Sequence, residues 1–282
     1  MGELPADTRL GAIRLRAGDV GLLRDFYERV IGLRAIASED GVTALGAGDR
    51  SLVELVSDPD APARPPRTTG LFHLAVLVPT RADLARALRR VFEAGWHLSG
   101  ASDHLVSEAL YLSDPEGNGI ELYRDRPRGE WPREGDEVAM ATLPLDLESL
   151  LAEPGGDANA PAMPDGTVLG HVHLQVSELD TASAFWVDAL GLDVMASLYP
   201  GALFVSAGGY HHHVGLNTWA GVGAPRPPAG SRGLDRFELV LPDAASETAA
   251  RDRLAAVGEV RDEDGGALVE DPSGNAVLVR AS

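Results

Sequence analysis

Two stretches of this chain share one rhythm of apolar and polar positions. Leu10–Arg34 (LGAIRLRAGDVGLLRDFYERVIGLR) and Leu169–Asp193 (LGHVHLQVSELDTASAFWVDALGLD) align without gaps. Each begins with the alternation of a strand, passes through a turn, and continues at helical spacing through Phe-Tyr or Phe-Trp to a Gly-Leu stop. The strands expected next correspond as well: Val42–Val56 (VTALGAGDRSLVELV) and Leu203–Asn217 (LFVSAGGYHHHVGLN).

A second pair lies between them. Gly70–Pro79 (GLFHLAVLVP) matches Gly233–Pro242 (GLDRFELVLP), and each precedes an Ala/Arg/Leu-rich helix, Arg81–Ala94 and Ala244–Ala256. Both end in a hairpin-like segment, Tyr111–Tyr123 and Leu268–Val279, around a DPxGN turn in which Gly supplies positive φ. The chain therefore reads as four strand–helix–strands repeats, at 10–57, 70–124, 168–219 and 233–280. The Pro-rich segments Ala61–Arg67 and Gly223–Gly230 read as connectors within each half. The expected domains are 8–126 and 167–282, joined by a linker at 127–166 with a short helix at Leu145–Glu153.

Composition narrows the chemistry. The 282 residues include no cysteine, which excludes disulfides, thiolate zinc sites, iron–sulfur clusters and cysteine nucleophiles. Any metal must be held by the 8 histidines and by carboxylates. With 43 acidic and 24 basic residues, all of the latter arginine, the net charge is −19; a nucleic-acid partner is not expected. The same charge repels a strongly anionic substrate at long range unless an arginine lines the cavity. No apolar run approaches the length of a membrane span, and the first residues do not form a targeting signal, so the expected home is the cytoplasm with no membrane partner.

Four βαβββ repeats in two halves resemble the vicinal oxygen chelate superfamily of glyoxalases, bleomycin-resistance proteins and dioxygenases. The resemblance implies an α+β fold in which repeats pair into two half-open barrel domains. It also implies metal ligands on the first and last strands of a repeat. At those positions repeat two has His73 and Glu121, and repeat three has His171 and the run Tyr210-His211-His212-His213. Repeat one has Ala12 opposite His171, and repeat four has Arg236 and Leu278 opposite His73 and Glu121. Glu54 in repeat one reads as a solvated edge residue.

Asp103–Glu121 (DHLVSEALYLSDPEGNGIE) resembles the extradiol dioxygenase pattern of Asp-His, Ser, Tyr, Pro-x-Gly and Glu. That resemblance makes His73, His171 and Glu121 the ligands of Fe(II), or alternatively Mn(II), with dioxygen as co-substrate. His104 becomes the histidine near substrate and oxygen, Tyr111 the hydrogen-bond partner of a substrate oxygen, and His212 the acid–base residue. His173 shares a strand face with His171 and is either the true ligand or its orienting partner. His213 reads as structural and His97 as a surface residue. Tyr199, Phe204 and Trp219 are candidates for an apolar wall or for core. The implied activity is ring cleavage of a catechol-type aromatic substrate, similar to catechol 2,3-dioxygenase. The alternatives are a glyoxalase-like isomerase or lyase, or an aromatic-antibiotic binder. Two-domain extradiol enzymes carry their ligands in the third and fourth repeats; here they fall in the second and third. Those repeats must meet within one chain or across a homodimer.

Overall fold

A computed structural model describes residues 3–157 and 160–282. Repeat one supplies β1 (Arg9–Ala17), α1 (Val20–Phe26) continuing as a π-helical turn (Tyr27–Ile31), β2 (Arg34–Glu39), β3 (Val42–Ala47) and β4 (Arg50–Ser57). Repeat two supplies β5 (Gly70–Leu77), α2 (Arg81–Glu93), β6 (Gly100–Asp103), β7 (Ser107–Ser113) and β8 (Gly119–Asp125). The linker holds the two-residue strands β9 (Arg133–Glu134), β10 (Glu137–Val138) and β11 (Leu143–Pro144), then α3 (Leu147–Leu151), which is shorter than the expected helix. Repeat three supplies β12 (Val168–Gln175), α4 (Leu179–Ser183) continuing as a π-helical turn (Ala184–Ala189), β13 (Asp193–Ala196), β14 (Ala202–Ser206) and β15 (Val214–Asn217). Repeat four supplies β16 (Gly233–Leu241), α5 (Ala244–Ala255), β17 (Arg261–Glu263), β18 (Gly266–Glu270) and β19 (Ala276–Ala281). This is the expected α+β architecture.

The strands form an eight-stranded sheet, β17-β18-β19-β16-β1-β4-β3-β2, and a nine-stranded sheet, β11-β6-β7-β8-β5-β12-β15-β14-β13. Sheet pairing therefore joins repeat four to one and repeat two to three, within one chain. Repeats one and two, apart from most of β1 and the start of β5, fall in one compact unit, and repeats three and four, apart from the start of β12, fall in the other. Two compact units follow: residues 16–61 with 73–170, and residues 1–15, 62–72 and 171–282. Three of the cuts between these units fall inside β1, β5 and β12, and the fourth falls in the connector after β4. Glu54 lies on β4, an interior strand, and is half-buried rather than at a solvated edge.

Each unit is locked by the same devices. Asp114 and Asp271 open the two DPxGN turns. Each carboxylate receives backbone N–H groups of its own turn and the side-chain amide of Asn118 or Asn275, at 2.8–3.0 Å. Asp114 also accepts from the Tyr27 hydroxyl, and Asp271 from Trp186 Nε1, both at 3.3 Å. The Phe-Tyr and Phe-Trp helices are thereby tied to the turn of the following repeat. Burial raises the pKa of both carboxyls, against the lowering pull of these hydrogen bonds.

The third turn residue fastens the preceding strand–helix loop. Glu116 accepts from the Gly18 and Asp19 amides, and Ser273 Oγ accepts from the Ser177 amide at 2.9 Å. Arg90 on α2 donates to the carbonyls of Val30 and Ile31 at the end of the π-helical turn, and Arg253 on α5 donates likewise to Ala189 and Leu190. Burial lowers the Arg90 pKa to about 10. Gly32 follows that turn at φ +90°, where a Cβ would also sit 2.6 Å from the Arg90 guanidinium. No helix among the described residues is long and apolar enough to cross a membrane.

Candidate metal centre

The strand registers place the donors. β5 runs parallel to β8 with Ala75 opposite Glu121, and β7 runs antiparallel to β8 with Tyr111 opposite Glu121. His73 is two residues before Ala75, so His73, Glu121 and Tyr111 share one face. His73 Nε2 lies 3.0 Å from Glu121 Oε2, and the Tyr111 ring centre lies 5.7 Å from that of His73. One donor atom from each of His73, Glu121 and His171 lies within 4.8 Å of the others, and all three residues are buried. Two imidazoles and a carboxylate are a donor set suited to Fe(II) or Mn(II).

His104 and Tyr111 form a pair beside this group. His104 Nε2 is 2.6 Å from the Tyr111 hydroxyl, and His104 Nδ1 is 2.7 Å from the Ala141 carbonyl. A carbonyl only accepts, so Nδ1 carries the proton and a neutral Nε2 accepts from Tyr111 O–H. Leu105 takes φ +70° in the turn after His104, and Asp103 Oδ1 accepts the Leu105 amide at 2.9 Å. Arg126 anchors Asp103 at 2.7 Å. The Ala141 contact comes from the linker, where β11 pairs with β6. Nothing in the polarity pattern of the linker signals it.

The histidines of repeat three fall into three environments. His171 is buried, with its ring centre 4.1 Å from that of His212. His211 Nδ1 and His212 Nδ1 are 2.8 Å apart, so each fixes the orientation of the other. His213 Nδ1 accepts the Ala207 amide at 3.3 Å and lies 2.8 Å from Ser206 Oγ, the structural place expected for it. His173 belongs to an aromatic box: its ring is 5.2 Å from Phe72, 5.6 Å from Phe204 and 5.3 Å from Trp219. Gly215 sits opposite His173 in the β12–β15 register, and a Cβ there would meet the imidazole at 2.9 Å. The grouped donors include His171 and not His173. Tyr199 completes the box, 6.2 Å from Trp219 and 6.3 Å from Phe204. His97 is exposed, as expected. Phe72 was not singled out from the sequence, since a lone aromatic in an apolar strand reads as core.

Known proteins match this chain along its length. The profile described as "Glyoxalase/Bleomycin resistance protein/Dioxygenase superfamily" matches residues 9–122. A protein of Bacillus subtilis (strain 168) named catechol-2,3-dioxygenase is 43% identical over 285 residues, covering 99% of this chain and 99% of that one. Biphenyl-2,3-diol 1,2-dioxygenase 3 of Rhodococcus globerulus is 28% identical over 120 residues, covering 42% of this chain and 63% of that one. Glyoxalase I from Zea mays shares the fold, with a TM-score of 0.60 at 15% identity, covering 97% of this chain and 92% of that one. With full-length identity well above the range of chance similarity and a glyoxalase-type fold, the chain belongs to the glyoxalase/bleomycin resistance protein/dioxygenase superfamily, whose fold is the vicinal oxygen chelate fold.

Proposed function

We propose that this protein is an extradiol dioxygenase that opens a catechol-type ring with dioxygen, using Fe(II) held by His73, His171 and Glu121. The observation that carries the reading is the grouping of these three buried donors beside the His104–Tyr111 pair. The full-length likeness to a protein named catechol-2,3-dioxygenase supports the same reaction class.

Fe(II) held by these residues would supply a redox path between a catechol and dioxygen and would acidify the catechol hydroxyls. The protein's own groups handle the protons. Tyr111 donates its O–H to His104 Nε2, which leaves the phenol oxygen to accept a hydrogen bond from a substrate hydroxyl. A proton leaving that hydroxyl has a relay: onto the Tyr111 oxygen, with the Tyr111 proton passing to His104 Nε2. The resulting imidazolium is stabilised at Nδ1 by the Ala141 carbonyl. His212 is held through Nδ1 by His211, and its Nε2 is the nitrogen assigned to acid–base transfer. Phe204, 4.9 Å from the His212 ring, forms an apolar wall for a planar substrate.

The test is purification under anaerobic conditions, measurement of bound iron, and assay of catechol under air for the yellow ring-opened product. Stoichiometric iron with product supports the reading. Protein without iron that binds aromatic compounds equally well after Glu121→Ala overturns it in favour of an aromatic-ligand binder. Metal-dependent turnover of a glutathione hemithioacetal without catechol cleavage overturns it in favour of a glyoxalase-like enzyme.

A further inference from the structure

The hairpin between the second and third strands of a repeat is built differently in repeat two. In repeat one, β2 and β3 are joined by Asp40-Gly41, at φ +50° and +79°. In repeat four, β17 and β18 are joined by Asp264-Gly265, at φ +45° and +76°. Asp and Gly enter the left-handed region readily, and Asp-Gly is the ordinary sequence of such a turn. At the same place repeat two joins β6 to β7 through His104-Leu105-Val106, and Leu105 stands at φ +70°. A leucine has no local gain in that conformation, because its Cβ crowds the carbonyl oxygen. The turn persists only where its surroundings hold it.

The surroundings do hold it. Asp103 Oδ1 accepts the Leu105 amide at 2.9 Å, and the His104 amide donates to the Ser107 carbonyl at 2.8 Å, which closes the loop. Arg126 reaches the loop twice. Its backbone amide donates to the Val106 carbonyl at 2.7 Å, and its Nη2 donates to Asp103 Oδ2 at 2.7 Å. The same Nη2 lies 3.6 Å from Oε1 of the buried Glu108, whose other oxygen takes Arg81 and Arg124 at 2.9 and 2.7 Å. Trp131 Nε1 donates to the Arg126 carbonyl at 2.8 Å. The Asp103 carboxylate is thus fixed from behind by a charge cluster with a buried member.

The linker closes on the other side of the loop. β11 pairs with β6 through Leu143 opposite Asp103, and the Ala141 carbonyl meets His104 Nδ1 at 2.7 Å. Between these two grips His104 Nε2 rests on the Tyr111 hydroxyl at 2.6 Å. The conformational cost sits on the residue directly after the histidine that it aims. Repeats one and four carry no imidazole at this turn, and they use the easy Asp-Gly sequence instead.

We propose that Asp103 and Arg126 are positioning residues: they hold Leu105 in the left-handed turn, and that turn keeps His104 Nε2 on the Tyr111 hydroxyl. The consequence for turnover rests on the proton relay of the proposed function. The hold on the turn does not, and it is measurable without a substrate.

The test compares wild type with Asp103→Ala, Asp103→Asn, Arg126→Gln, Leu105→Gly and the double variant Asp103→Ala/Leu105→Gly. Two readouts are taken on anaerobically purified protein: deuterium exchange of the His104 amide, resolved by fragmentation mass spectrometry, and kcat and KM for catechol cleavage. Asp103→Ala is expected to speed the exchange and lower kcat, each by about 5- to 30-fold, the scale on which a left-handed non-glycine residue is disfavoured. KM should change little, since no group that binds substrate is altered. Asp103→Asn keeps an acceptor for the Leu105 amide, and Arg126→Gln keeps the backbone link to Val106; both are expected to fall between. Glycine adopts a positive φ at little cost, so Leu105→Gly alone should stay near wild type, and its addition to Asp103→Ala should restore most of both readouts. A loss of packing or charge at Asp103 would not be recovered by a glycine two residues away.

Thermal melts establish that each variant is folded. Wild-type exchange and kcat in folded Asp103→Ala, or a double variant no better than Asp103→Ala, overturns the proposal. Wild-type behaviour of Arg126→Gln overturns the part assigned to Arg126. Exchange that follows the variants while kcat does not would break the link from the turn to the relay. If wild type binds iron yet cleaves no catechol, the dioxygenase reading falls and the exchange data alone decide the hold on the turn.

Discussion

Strands β5 and β12 in one sheet, and β16 and β1 in the other, occupy corresponding places in the same order of repeats, yet they carry opposite chemistry. The first pair and the neighbouring β8 present His73, His171 and Glu121. The second pair and β19 present Arg236, Ala12 and Leu278 at the aligned positions. Arg236 is 3% exposed and paired with Glu263 and Asp264, and Arg14, aligned with His173, reaches Asp264 at 3.2 Å. Glu238 accepts from Arg280 at 3.2 Å and from the Ala12 amide at 3.3 Å. Both places thus gather carboxylates. One matches them with arginine, a cation built into the chain. The other faces its carboxylate with imidazoles, which supply lone pairs rather than a permanent charge, and on the proposed function it recruits its cation from solution. The repeat is common to both; a few side chains decide whether the place is a structural ion cluster or a candidate metal site.

The contrast breaks most sharply at Glu121. Glu121→Ala is expected to reduce bound iron and ring-cleaving kcat/KM by more than about 100-fold, since even partners outside the ligand set cost 10- to 100-fold. Leu278→Ala, at the aligned position, is expected to leave the iron content unchanged. Elemental analysis of both variants after anaerobic purification checks this, and iron retained by Glu121→Ala would remove Glu121 from the ligand set.

The next effect lies in the proton relay. Tyr111→Phe keeps the ring and loses the hydroxyl that donates to His104, which on the proposed function also meets the substrate. A drop of about 10- to 100-fold in kcat/KM is expected, toward the low end for a general acid–base group. His104→Phe should cost about as much, and the double variant little more than either, because the two act as one unit. Full additivity in this cycle would show that they act separately.

Much of this was legible in the sequence. The repeats and the α+β fold follow from residue order, because strand alternation and turn chemistry are local; the candidate donors, His104 and Tyr111 are singled out through the resemblance to extradiol dioxygenases. Choosing His171 over His173 was not legible, because both point to the same face; the Gly215 gap that seats His173 among aromatics lies across a strand pairing. The contacts between sequential repeats were not legible either: they run through Asp114, Asp271, Arg90 and Arg253, whose partners lie far along the chain. The role of Ala141 is that of a backbone carbonyl, which no side-chain pattern marks.

At the structural counterpart of the proposed metal site, Arg236→Leu is expected to cost about 2–3 kcal/mol in urea unfolding. That is below the range for a fully buried pair, because Glu263 and Asp264 keep 40% and 54% side-chain exposure and regain water when released. The Asp264 pKa is lowered, first by its hydrogen bond from Arg236. Its contribution is therefore present above the unfolded carboxyl value and is lost as pH falls through the folded one. The cost of Arg236→Leu should accordingly shrink in acid. A cost that grows on acidification would mean that Arg236 acts through packing alone.

The smallest expected effect has the opposite sign. Asp271 is buried and its pKa is raised by desolvation, so the folded state holds the proton to higher pH than the unfolded chain does. Its contribution is fully present below the unfolded value of about 3.9 and declines as pH rises through the folded value. Asp271→Asn keeps one acceptor oxygen in the turn and removes the titration. Its cost is expected to be about 1 kcal/mol at the acid end, the scale of one hydrogen bond, and to shrink as pH rises. Asp114→Asn should behave alike, since the two turns share their amide and Asn contacts and differ mainly in a Tyr27 hydroxyl against a Trp186 indole. Urea unfolding of wild type and both variants from pH 4 to pH 7 separates the cases. A cost that rises with pH in either variant would mean that its carboxylate is stabilised by its donors more than it is penalised by burial.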